Sequence, residues 1–182
     1  AGISNQTTVN FRRVAAEEIE KKGAEALLEG IDGLLVPGGF GTRGIEGKIE
    51  AIRFVRERKI PYLGICLGMQ CAVIEFARNV LGLSGAHSSE FDRECADPVI
   101  SLLEEQRDVK DMGGTMRLGN YSCRVSADSN AGRAYGTELV EERHRHRYEF
   151  NNRFRDRLHE VGLRATGINE DHDLVEIVEI ED

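Results

Sequence analysis

The stretch with the most chemical content is Pro61-Tyr-Leu-Gly-Ile-Cys66-Leu-Gly-Met-Gln70. An apolar run ends in Gly64-Ile65-Cys66-Leu67-Gly68, and a helical pattern follows. This is the spacing of a nucleophile elbow, with cysteine in the nucleophile position. A sharp strand-to-helix turn forces the nucleophile into a strained backbone conformation, and side chains at the flanking glycine positions would collide with the turn. A thiol at a helix N-terminus feels the positive end of the helix dipole, which favours the thiolate. The backbone N–H of Leu67 would then face a developing oxyanion. The other fate of a free cysteine at a strand end is burial as a small apolar residue. Two glycines and the strand-to-helix setting favour the nucleophile at Cys66. Cys71, further into the same helix, is expected to pack.

A second candidate is Val36-Pro37-Gly38-Gly39-Phe40-Gly41, which also follows an apolar run. Three glycines around one bulky residue let backbone amides point outward as donors. Such a loop is a donor pocket, a phosphate site or simply a tight turn. It lacks the terminal Lys-Ser/Thr of a P-loop and the spacing of GxGxxG. Its value comes from lying one strand-helix unit before Cys66. In a doubly wound sheet both loops emerge at the carboxyl ends of strands, where ligands bind.

These segments need a scaffold, and the first 80 residues supply one. Thr7–Val14 reads as a short strand and Ala15–Leu28 as a helix stopped by Gly30. Ile31–Val36 and Ile60–Ile65 read as buried strands. Glu46–Lys59 and Cys66–Val80 read as helices. The alternation implies an α/β fold with a doubly wound, mainly parallel sheet and right-handed crossovers. Further on, Pro98–Leu103 and Tyr121–Val125 read as strands around a polar loop, Glu104–Gly119. Residues 143–150 alternate Arg/Glu with His144, His146, Tyr148 and Phe150, which is the period of a strand. Asn152–Val161 reads as a helix. Leu163–Ile168 and Leu174–Ile180 read as a strand pair joined by the acidic turn Asn169–Asp173.

Composition narrows the function classes. The chain has 182 residues with 24 basic and 32 acidic side chains, for a net charge of −8. Seven of those acids lie in residues 170–182, which contain no Lys or Arg. No basic face is available for sequence-independent nucleic-acid binding, so no nucleic-acid partner is expected. No run of 18 apolar residues suggests a membrane span, and no secretory leader is recognisable. Four scattered cysteines without a CxxC pair suit reduced thiols in a cytoplasmic protein, and no metal site is expected.

The combination of Pro37-Gly-Gly-Phe-Gly41 with Gly64-Ile-Cys-Leu-Gly-Met-Gln70 resembles the class I glutamine amidotransferases. Ser89-Glu90-Phe91, Gly113-Gly-Thr-Met-Arg-Leu-Gly119 and Glu142-Arg-His-Arg-His-Arg-Tyr-Glu149 narrow the resemblance to the glutaminase domains of CTP synthases. It spans about Thr7 to Ile180 and implies a flavodoxin-like class I amidotransferase fold. By this resemblance Cys66 attacks the side-chain amide of glutamine, forming a thioester and releasing ammonia. Gly39 and Leu67 supply oxyanion N–H groups, and Gly39, Leu67, Gly68, Met69, Gln70, Glu90 and Arg147 hold the glutamine. A free α-amino acid carries one ammonium and one carboxylate, which suits one acid, Glu90, and one guanidinium, Arg147.

The segment Gly113–Gly119 resembles a lid associated with GTP as an allosteric effector. The family's base is a His-Pro-Glu segment downstream of the strand matching Leu174–Ile180, and no His-Pro-Glu occurs in this sequence. Residues 1–182 are therefore expected to be one partial amidotransferase domain, lacking the family's first strand and that segment, with a sheet open at its centre. Alone it is expected to be nearly inactive and prone to associate. The synthetase domain implied as its partner would bring ATP, UTP and Mg²⁺, with no cofactor in this domain, and the resemblance implies a homo-oligomer, a tetramer in the family. The alternatives are a non-catalytic glutamine-binding or regulatory module lacking the base, another class I amidotransferase, or a γ-glutamyl hydrolase.

Overall fold

A computed structural model describes residues 2–102 and 116–180. The helices come first in the chain as α1 (Ala16–Lys22), α2 (Ala24–Leu28), α3 (Ile45–Glu57) and α4 (Leu67–Asn79), followed later by α5 (Asn130–Tyr135) and α6 (Arg155–Glu160). The strands are β1 (Leu34–Val36), β2 (Tyr62–Gly64), β3 (Ala86–Ser88), β4 (Asp97–Ser101), β5 (Arg117–Val125), β6 (Leu139–His146), β7 (Glu149–Phe150), β8 (Leu163–Asn169) and β9 (Leu174–Ile180).

The α/β class and the parallel pairing of the first half follow the sequence pattern. β1 and β2 pair in parallel, with Val36 opposite Gly64. β3 pairs in parallel with β4, which pairs antiparallel with β7. The second half adds an antiparallel sheet in the order β6-β5-β8-β9. The core is built around α4, whose Leu67, Cys71, Val73, Ile74, Phe76 and Ala77 are buried against Val36, Ile49, Ile52, Val99, Ile100 and Phe150. A smaller cluster joins α1 and α2 to α3 through Ile19, Leu28, Phe54 and Val55. Glu75, fully buried, is held bidentately by Arg56, with both N–O distances 2.8 Å. This ties α3 to α4 with a charge-assisted fork.

Several boundaries differ from the sequence reading. Thr7–Val14 forms no strand; it runs exposed up to the half-buried Val14, because β-rich composition makes a strand only where an edge offers partners for its backbone. The helix expected over Ala15–Leu28 breaks at Gly23, whose φ of 82° and ψ of 153° cannot continue a helix. β5 begins at Arg117, so Arg117, Leu118 and Gly119 pair with His146, Arg145 and His144 instead of lying in a loop. Gly113, Gly114 and Thr115 of that loop lie outside the described residues. The strand expected through residues 143–150 bends at Arg147-Tyr148 between β6 and β7. Two short elements, β3 and α5, were not anticipated; α5 is capped by the Ser129 hydroxyl, which accepts from the Gly132 N–H at 2.8 Å. Among the described residues no helix is long and apolar enough to cross a membrane.

Candidate active site at the Cys66 elbow

The parallel register of β1 and β2 brings the two glycine loops side by side. Ile65 N–H donates to the Val36 carbonyl at 2.9 Å, and residues 37–41 and Cys66 leave the sheet at the same end. A methyl on Gly38 would stand 3.4 Å from Cys66 Cβ. Cys66 itself has φ 54° and ψ −106°, a conformation that non-glycine residues rarely adopt. Such strain persists only when the surroundings over-determine it. Here the surroundings are close backbone contacts. A Cβ on Gly68 would lie 2.2 Å from the Val36 carbonyl oxygen, and one on Gly64 would lie 2.6 Å from the Gly68 carbonyl carbon. Both flanking glycines of the elbow are sterically required.

Cys66 is half-buried, and the N–H groups of Leu67 and Gly39 stand near enough to its sulfur to favour the thiolate. Burial raises the thiol pKa above its ordinary value, the two amides lower it, and the charges of Glu149 and Glu90 raise it further. Two backbone donors thus converge on one sulfur at the N-terminus of α4.

Cys66 opens into a cavity of about 320 Å³. Of the residues expected to form the site, Gly39, Cys66, Gln70, Glu90 and Arg147 line it. Leu67, Gly68 and Met69 do not. They form the first turn of α4: Leu67 is buried in the core, Met69 packs against it, and Gly68 abuts Val36. Only their backbone is placed to serve a ligand. Gln70 is turned to a different task, its amide Nε2 donating to the Tyr148 carbonyl at 2.9 Å. That bond links α4 to the bend carrying Arg147. Burial raises the Glu90 carboxyl above its usual range, against a hydrogen bond from the Gly41 N–H and the Arg147 charge, which lower it.

Phe40, Arg93, Met116, Arg145, His146 and Tyr148 complete the lining. Arg93 carried no sequence signal. Arg145 lies over the Phe40 ring at 5.4 Å. Burial, followed by the His144 and Arg117 charges, pushes the His146 pKa down to about 4, so its imidazole is neutral at pH 7. Cys71 is fully buried, as expected.

Behind the bend lies a charged cluster that sequence reasoning missed. Arg117 donates to both Glu176 oxygens at 2.6 and 2.9 Å and to His144 Nδ1 at 2.9 Å, and its Nε lies 3.1 Å from Glu149 Oε1. Donor atoms of His144, His146 and Glu176 lie within 4.8 Å of one another, close enough to hold a metal ion. The guanidinium already lies among those atoms as their cation. Glu149 shares Arg117 with Glu176, and burial together with the second carboxylate pushes its pKa up to about 7 despite the guanidinium. The pattern was hard to foresee because Arg117, Glu149 and Glu176 are far apart in sequence.

Known proteins are similar to this chain over its length. The family model for glutamine amidotransferase class-I matches residues 1–182. CTP synthase from Clostridium acetobutylicum is 61% identical over 181 residues, covering 100% of this chain and 34% of that protein. CTP synthase from Caldanaerobacter subterraneus is 59% identical over 182 residues, with the same two shares. A solved structure, the glutaminase domain of Trypanosoma brucei CTPS with bound acivicin, superimposes with a TM-score of 0.87 at 37% identity, covering 99% of this chain and 69% of that one. The chain spans about a third of the length of the curated relatives it matches. With whole-length similarity on both sequence and structure, the chain belongs to the class I glutamine amidotransferases, and within them to the glutaminase domains of CTP synthases.

Proposed function

We propose that the chain hydrolyses glutamine through a Cys66 thioester and supplies ammonia to the remainder of a CTP synthase, for ATP-dependent amination of UTP to CTP. The observation that carries this reading is the convergence of the Gly39 and Leu67 N–H groups on the Cys66 sulfur, in a cavity shared with Glu90 and Arg147. The sulfur attacks the side-chain carbonyl carbon of glutamine. The carbonyl oxygen becomes an oxyanion, which the two amides are placed to stabilise as it turns towards them. Collapse breaks the C–N bond; the nitrogen takes a proton and leaves as ammonia, and water then hydrolyses the thioester to glutamate. Glu90 takes the substrate ammonium and Arg147 its carboxylate, a charge-paired recognition that fits a free α-amino acid.

In this reading ATP, UTP and Mg²⁺ act in a synthetase domain of the longer protein, which the relatives' length accommodates, and the assembled enzyme is a cytoplasmic homo-oligomer. GTP as effector rests on the match of residues 113–119 alone. The base that takes the thiol proton is the His-Pro-Glu pair of the family. Among the described residues the charges that weigh most on the Cys66 thiol are those of Glu149 and Glu90, and both oppose the thiolate. That observation also favours a second reading, a glutamine-binding module without turnover.

The two readings separate experimentally. Acivicin, the ligand named for the Trypanosoma brucei structure, should modify Cys66 alone, glutamine should protect, and Cys66→Ser should abolish labelling. Glu90→Gln and Arg147→Met should each weaken glutamine protection at least about tenfold, the loss of one charge-assisted contact. Cys66 left unmodified would refute the nucleophile. The 182-residue chain should release little ammonia by itself, whereas a longer protein carrying it should turn over glutamine. Protection without turnover in both would favour the binding module.

A further inference from the structure

The strain at Cys66 needs something that holds the elbow shut, and one side chain reaches into it. Tyr62 lies on β2, two residues before Gly64 and on the same face of the strand. Its hydroxyl donates to the Gly68 carbonyl at 2.8 Å, in the first turn of α4. The path passes over Gly64: a Cβ there would lie 2.6 Å from the Tyr62 hydroxyl oxygen. Gly64 is therefore required twice, once by the helix backbone and once by the phenol crossing it. Backbone bonds also brace the elbow, from Ile65 N–H to Val36, Gly68 N–H to Ile65 and Gln70 N–H to Cys66.

We propose that Tyr62 is a positioning residue for the Cys66 elbow, pinning the first turn of α4 to β2 so that the Leu67 N–H stays aimed at the sulfur. The proposal rests on the reading of Cys66 as nucleophile. Tyr62 does not line the cavity, and its hydroxyl bonds the first turn of α4, so it acts through the helix turn. Burial raises its phenol well above the usual value, so it remains a donor across the pH range in which a thiol ionises. Releasing the pin lets the turn drift, the Leu67 amide loses its alignment, and the thiolate loses one of its two stabilising donors. The thiol then needs a higher pH to ionise.

The test is the pH profile of iodoacetamide alkylation at Cys66, followed by mass spectrometry of the Cys66 peptide so that the other cysteines do not contribute. Tyr62→Phe removes one oxygen and keeps the ring. Its profile should move up by about half a pH unit, roughly threefold slower alkylation at pH 8, with the difference closing once both thiols are ionised. Asn79→Ala, at the far end of α4, removes the side-chain bonds to Glu75 and serves as a control of similar cost in stability. Its profile should stay with the parent chain. A Tyr62→Phe profile superimposed on the parent's would overturn the proposal, and so would an Asn79→Ala shift of equal size. Parent chain that alkylates at Cys66 but resists acivicin would refute the glutaminase reading instead, leaving the Tyr62 comparison to be read on its own.

Discussion

Cys66 and Glu149 sit on different elements and meet the same demand from burial. Burial pushes both pKa values upward, which keeps the thiol protonated and holds the Glu149 carboxyl at about 7. For Glu149 the consequence is a pH-dependent stability. Below about pH 4.5 it is protonated in both folded and unfolded chains and contributes nothing. Between about 4.5 and 7 the unfolded chain has released the proton while the folded chain retains it, so stability falls as pH rises. Above 7 the loss is complete and constant. Glu149→Gln should therefore gain on the parent chain across that window, by on the order of 2–3 kcal/mol at neutral pH if the amide fits the same place. Thermal melts of both proteins from pH 4.5 to 8 measure it; parallel melting curves would contradict the pKa assignment. Cys66 and both glycines around it were legible from sequence because an elbow is a local steric device. Glu149 was not, because its pKa depends on Arg117 and Glu176, brought to it by other strands.

At the scale of elements, α4 carries both the site and the core. Its first turn presents amides to Cys66, and the rest of the helix is buried on most sides. The close approach of Gly68 to β1 couples these two duties. A methyl group 2.2 Å from the Val36 oxygen has nowhere to go, so Gly68→Ala must push α4 away from β1. The expected cost is about 2–3 kcal/mol from overpacking, together with loss of acivicin labelling. Urea unfolding read alongside labelling tests this; retained labelling at full stability would show that the contact is relaxed at no cost. Strongly periodic helices, α3 and α4, were recovered from the sequence within a residue or two. The short ones were not: β3 has three residues, and α5 depends on the Ser129 cap within a polar run that also suits a loop. The bend at Arg147-Tyr148 escaped for a related reason. Alternation of side chains continues across it, while the backbone leaves β5 on one side and joins β4 on the other.

At the scale of the whole molecule, one face of the β1–β2 sheet is exposed among the described residues. Leu35 and Leu63 stand opposite each other on β1 and β2 and are 57% and 58% exposed, with Ile65 next to them. Parallel sheets are ordinarily covered on both faces. The 182-residue chain in isolation is therefore expected to associate through this apolar surface. Sedimentation velocity should show concentration-dependent association that Leu35→Thr with Leu63→Thr reduces. A monomer at all concentrations would refute the expectation. Net charge explains little at this scale. Much of the acidity near residue 170 onward is absorbed locally, with Glu176 on Arg117, Glu170 on Arg124, Asp173 on Arg155, and Glu179 accepting from the Asn130 and Ala131 N–H groups.

Sequence by itself determined the elbow, the paired glycine loop, the β1-α3-β2-α4 order and the family. Each depends on contacts between residues close in the chain, or on motifs whose spacing the backbone dictates. Tertiary structure decided which of the expected residues face one cavity and which serve the core. It turned Gln70 towards Tyr148, laid Tyr62 across Gly64, and surrounded Arg117 with two carboxylates and a histidine. Those are distances between separate elements. They follow from strand register and helix packing, which no local pattern of residues specifies.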